Sequence, residues 1–146
     1  MTDPGQRLLD LLPGWTGGPK QYRAADGWTI SDPPGLLPLY RGDTLPGDGP
    51  IIVCEGEKCC DVVASIGLYA TTNAHGADSA SKTDWSPLAG RDVVILPDHD
   101  KAGEGYAADV AGILSRLKPP AKVRIVRLPG LPEHGDIADW RDAHDA

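Results

Sequence analysis

From residue 51 onward the chain alternates short apolar runs with amphipathic ones. The runs "IIVC" at 51–54, "LYATT" at 68–72, "DVVIL" at 92–96 and "KVRIVRL" at 122–128 are short and mostly β-branched, which predicts strands. Between them, "EKCCDVVASIG" and "GEGYAADVAGILSRL" repeat their apolar positions at helical spacing. In the second, Tyr106, Val110, Ile113, Leu114 and Leu117 form the stripe that faces a sheet. A last helical turn is predicted at "DIADWRD", 136–142. Continuous apolar strands separated by helices imply a parallel sheet covered on both faces. The expected fold is therefore α/β, a Rossmann-like parallel sheet of about four strands.

The first 50 residues read differently, because Pro and Gly crowd there. A short amphipathic stretch, "QRLLDLL", is closed by Pro13 and Gly14 and reads as a leader or docking segment. Two strand-like pieces, "YRAADGWTI" and "LLPLYR", are separated by "SDPPG" and are expected to pair as a small hairpin flap. The expected organisation is a leader over 1–49 and one domain over 50–146, which suits 146 residues.

Composition narrows the functions. A formal charge of −7 argues against gripping nucleic acid simply by neutralising phosphates, so a polyanion bound here needs help from metal ions. Three cysteines, two of them adjacent, offer no zinc spacing and read as buried thiols of a reduced protein. No run approaches a membrane span, and the N-terminus lacks the pattern of a secretion signal. A cytoplasmic protein with no membrane partner is expected.

In such a sheet, ligands gather outside the carboxyl ends of the strands, and acids follow three of the predicted strands. Glu55 follows "IIVC", Asp98 and Asp100 follow "VVILP", and Asp136 and Asp139 follow the last strand. Asp98 and Asp100 are two apart, so in extended chain both carboxylates face one ion while His99 points the other way. Hard oxygen donors of this kind suit Mg²⁺ or Mn²⁺. Gly103 lets the backbone turn closely into the following helix, whose first N–H groups seat an anion. Lys58 and Lys101 bring positive charge to the same place. Each feature also has a purely structural reading: Glu57 and Lys58 as first-turn residues, Asp136 with Asp139 as a helix cap, and "DHD" as a solvated turn.

"VCEGEKCCD", then "VVILPDHDKAGEGYA", then "LPGLPEHGDIADW" together resemble the Toprim domain shared by bacterial-type primases, type IA and type II topoisomerases and some nucleases. The likeness is nearest to the primase-like Toprim domains of phage and plasmid primase-helicases, and it covers roughly residues 50–142. It implies that Glu55 is the catalytic glutamate, as acid/base or as a further metal ligand. It also implies that Asp98 and Asp100 are the Mg²⁺ (or Mn²⁺) pair and catalytic with it, that Asp136 is the later acidic ligand, and that Gly56 and Gly103 are structural glycines. In the loop "NAHGADSASKTDW", His75, Ser79 and Lys82 lie where such domains carry substrate-facing groups, so Lys58, Lys82 and Lys101 are the candidate substrate contacts.

The activity implied is DNA primase-like nucleotidyl transfer in replication of a phage or mobile element. The implied partners are nucleotides, nucleic acid (single-stranded DNA template or RNA/DNA), and a helicase or other replication protein. The sequence shows no zinc-module spacing and no "GxxxxGK[ST]" loop. The alternatives are a small metal-dependent Toprim nuclease and a non-catalytic binding module.

Overall fold

Four parallel strands in the order β4-β3-β5-β6 build the sheet: β3 (Ile51–Cys54), β4 (Ala70–Thr71), β5 (Asp92–Leu96) and β6 (Lys122–Ile125). They belong to a computed structural model that describes residues 32–145 and two earlier strands, β1 (Tyr22–Ala24) and β2 (Gly27–Thr29). Three helices connect or follow the sheet strands: α1 (Glu57–Ser65), α2 (Lys101–Ser115) and α3 (Ile137–His144). This is the α/β architecture expected, with helices on both faces.

Side-chain alternation decides which helix covers which face. Ile51, Val53, Val93 and Ile95 pack with Tyr106, Ala107, Val110 and Leu114 of α2 in one core. Cys54 and Leu96, with partly buried Ile52 and Val94, pack against Cys59, Cys60, Val62 and Val63 of α1 and Ile137 and Ala138 of α3 in the other. The three cysteines are free and buried, so they serve as small apolar groups.

The chain divides into two compact units, Met1–Pro34 and Gly35–Ala146. Residues 35–49, which the sequence pattern groups with the leader, thus belong to the second unit. Leu37 N–H donates to Lys82 O at 2.8 Å and Tyr40 N–H to Thr72 O at 2.9 Å, so "LLPLYR" makes two isolated bridges, Leu37 with Thr83 and Tyr40 with Thr72. The expected hairpin between "YRAADGWTI" and "LLPLYR" is therefore not the pairing formed. β1 and β2 pair with each other inside "YRAADGWTI", and Pro38 denies the second piece a continuous ladder. The amphipathic "QRLLDLL" lies outside the described residues.

Candidate functional site

The strand order fixes where a ligand belongs. β3 leads through α1 to β4 on one side, and β5 returns to the other side of β3, so the carboxyl ends of β3 and β5 flank the switch point where α/β sheets bind ligands. Glu55 directly follows β3, and Asp98 lies two residues beyond β5.

Glu55 is followed by Gly56, the N-cap of α1 at φ 108°, a backbone conformation that side chains with a Cβ rarely adopt. Gly56 N–H donates to Thr72 Oγ1 at 3.2 Å. Behind it the buried Tyr106 hydroxyl lies 2.8 Å from Asn73 Oδ1, 3.1 Å from Cys54 O and 3.3 Å from Thr72 Oγ1. Asn73 Nδ2 in turn donates to the carbonyls of Ala74 and Gly76. The strand-to-helix turn carrying Glu55 is thus held by a buried polar network. Sequence reasoning places Tyr106 only in the core stripe; its signal is a lone hydroxyl among Val, Leu and Ala.

The "DHD" segment is a tight bend. Asp100 N–H donates to Asp98 O at 2.9 Å, so the two carboxylates do not share one side of an extended strand as their spacing predicts. Asp100 is the N-cap of α2: its Oδ1 accepts from Gly103 N–H at 2.7 Å, and its Oδ2 lies 3.1 Å from His134 Nδ1. Those partners, Gly103 first, hold the Asp100 carboxyl below the usual aspartate range. A Cβ on Gly103 would overlap the Asp98 carbonyl oxygen and lie 2.8 Å from the Asp98 nitrogen, so the bend can close only over glycine. His99 Nδ1 reaches the carbonyls of Leu131 and Pro132 at 2.8 and 3.0 Å. With His99 N–H donating to Gly135 O and His134 N–H to His99 O, this ties the bend to the loop before Asp136. The sequence reading gave neither His134 nor this clamp.

Asp136 caps α3 in a reciprocal capping box with Asp139: Asp136 Oδ1 accepts from Ala138 and Asp139 N–H, and Asp139 Oδ2 accepts from Asp136 N–H. The Cys59 thiol is pushed up to about 12, by burial first and then by the neighbouring charge of Asp136. The capping role is formed, with one oxygen of Asp136 committed to it.

Asp98 is half-buried and its carboxyl is pushed up to about 7, by burial first and then by Glu55, Asp136, Asp100 and Asp139. Glu55 is raised too, by burial and then by Asp100 and Asp78, and its Oε2 is buried without a hydrogen-bond partner. These carboxylates therefore repel one another across one sheet edge. Among the described residues, no three His, Cys, Asp or Glu side chains converge into a ready-made metal cage. The donor set still fits a hard divalent cation, because an orphaned carboxylate oxygen and mutually repelling acids are what such an ion relieves, and Mg²⁺ needs only one or two carboxylates. Lys58 and Lys101 are exposed in the first turns of α1 and α2, and exposed Lys82 ends the 3-10 turn Ala77–Lys82.

In sequence comparisons no protein family and no curated protein matches the chain. Solved structures do. The primase fragment of the bacteriophage T7 primase-helicase superposes with a TM-score of 0.53 at 20% identity, over 86% of this chain and 53% of that one. The bacteriophage T7 lagging-strand DNA polymerase assembly, with primase domains bound to an RNA/DNA hybrid and dTTP, gives 0.52 at 21% identity, over 86% of this chain and 64% of that one. The fold is primase-like. The chain spans only about half to two thirds of the length of these chains. Among the described residues no helix is long and apolar enough to cross a membrane.

Proposed function

We propose that the acidic edge is a Mg²⁺- or Mn²⁺-dependent nucleotidyl-transfer site of Toprim type, working on nucleic acid in a primase assembly of a phage or mobile element. The observation that supports this reading is the repulsion of Asp98 by Glu55, Asp136 and Asp100 near the switch point, with one Glu55 oxygen buried and unpartnered. The primase-like fold supports the choice of reaction.

Glu55 and Asp98 are the carboxylates left least satisfied by the protein, so they are the residues that would hold the ion, with Asp100 fixed beside them by its cap. When bound, that ion neutralises substrate phosphates and the charge that develops in transfer. The Asp98 carboxyl, pushed up to about 7 by burial and its acidic neighbours, would give up its proton as the ion binds. The first N–H groups of α2, with Lys101 in its first turn, and Lys58 in the first turn of α1, attract an anionic phosphate from the protein side.

The test is incubation of labelled single-stranded DNA with the protein under Mg²⁺ or Mn²⁺, with and without nucleotides, for wild type and the Asp98→Ala/Asp100→Ala double variant. Cation- and nucleotide-dependent product that vanishes in the variant is expected. Shortened DNA would replace transfer by nuclease activity, and no product from either protein, with a helicase partner supplied, would refute catalysis.

A further inference from the structure

The outer edge of the sheet carries a charge opposite to that of the protein as a whole. Among the described residues β6 has only β5 beside it. Its Val123 and Ile125 pack against the core under α2, which leaves Lys122 and Arg124 exposed on the alternate positions. From residue 110 to 132 the chain holds Arg116, Lys118, Lys122, Arg124 and Arg127 and no Asp or Glu, within a protein of formal charge −7. Among the described residues, Lys118, Lys122 and Arg124 make no ion pair, whereas Arg127 pairs with Glu104. The nearest acid across the ladder is Asp92, in register with Lys122.

Charges on an edge strand, Lys above all, also block edge-to-edge aggregation, but that role does not call for a run of five cations with no acid from residue 110 to 132. The run also has a direction. β6 runs parallel to β5, so it points toward the sheet edge that bears the carboxylates. Just beyond it, Arg127 lines a cavity of about 190 Å³ together with Asp98 and His99. From Lys122 to Arg127 an extended chain covers about 16 Å, long enough to meet more than one phosphate of a bound strand.

We propose that Lys118, Lys122 and Arg124 form a basic rail that binds the phosphate backbone of single-stranded nucleic acid and leads it toward the acidic edge. Lys122 and Arg124 share one side of β6, with Lys118 four residues before Lys122 in the chain, and positive charge arranged along a chain in this way tracks a single-strand backbone. With no aromatic residue on β6, recognition is through the backbone and independent of base sequence. The destination of the rail rests on the reading of the acidic edge as a phosphate-handling site; its charge complementarity does not.

The experiment is fluorescence anisotropy of a labelled oligo-dT strand with the full chain in EDTA, titrated at 50 to 200 mM NaCl. Lys122→Gln/Arg124→Gln, checked for folding by circular dichroism, is expected to weaken binding roughly tenfold or more at the lowest salt. It should also make the log–log salt slope shallower by about 1.4, from two lost contacts at about 0.7 each. Lys118→Gln alone should lose about half that slope. Asp98→Asn/Asp100→Asn should bind at least as tightly as wild type even though it is catalytically dead, which separates the rail from the site. Unchanged affinity and slope in the double Gln variant would overturn the proposal. So would loss of binding in the double Asn variant, or equal binding of poly-glutamate, which would mark the edge as a seat for an acidic protein.

Discussion

Removing one oxygen, by Tyr106→Phe, tests how the Glu55 turn is held. The ring is 2% exposed and keeps its packing in the variant, so the change isolates the hydroxyl. That hydroxyl meets Asn73 Oδ1, Cys54 O and Thr72 Oγ1, and losing it strips Asn73 Oδ1 of its partner in a site without solvent. A net hydrogen bond is worth about 1 kcal/mol, and an orphaned buried polar atom adds about 1–3 kcal/mol, so the expected loss is about 2–4 kcal/mol. For a unit of this size that is a fall in Tm of roughly 10 °C. Urea unfolding should show a lower midpoint at unchanged m, since the surface exposed on unfolding is the same. Because Thr72 also accepts from Gly56 N–H, Mn²⁺ binding measured by calorimetry should weaken in parallel. A loss under about 0.5 kcal/mol would mean that the network is incidental and that Tyr106 is only an apolar filler.

The raised Asp98 carboxyl predicts a pH effect. The folded chain holds a proton that the unfolded chain releases between the ordinary aspartate range and about 7, so metal-free stability falls as pH rises through that window. In EDTA, Asp98→Asn should exceed wild type by about 1–2 kcal/mol at pH 8, a figure reduced for solvent screening, and equal it near pH 4; urea midpoints that do not diverge with pH would remove the repulsion. Gly103→Ala should cost about 2–3 kcal/mol and lower Mn²⁺ affinity, because the added Cβ meets the Asp98 backbone; calorimetry and urea unfolding check both. Arg127→Ala should cost under about 1 kcal/mol in thermal unfolding despite two 2.6 Å bonds to Glu104, since the pair is 62% and 47% exposed.

The sequence by itself determined the layered α/β design. "IIVC", "DVVIL" and "KVRIVRL" can be buried only as strands, and the stripe through Tyr106 and Val110 only by a helix lying on them, because apolar periodicity leaves no other way to shed water. It also placed Glu55, Asp98, Asp100 and Asp136 after strands, where local order suffices. What pattern cannot express is contact between segments far apart in the chain. The strand order that sets Glu55 and Asp98 on either side of a switch point is decided by packing of the whole sheet. So are the clamp of His99 and His134 onto the 131–136 loop and the tie of residues 35–49 to Thr72 and Thr83. The environments of the two aspartates in "DHD" show the limit most directly. Two residues apart in sequence, one is raised by burial among acids and the other lowered by a helix cap and a histidine, because a carboxyl group answers to the field around it and only the tertiary structure supplies that field.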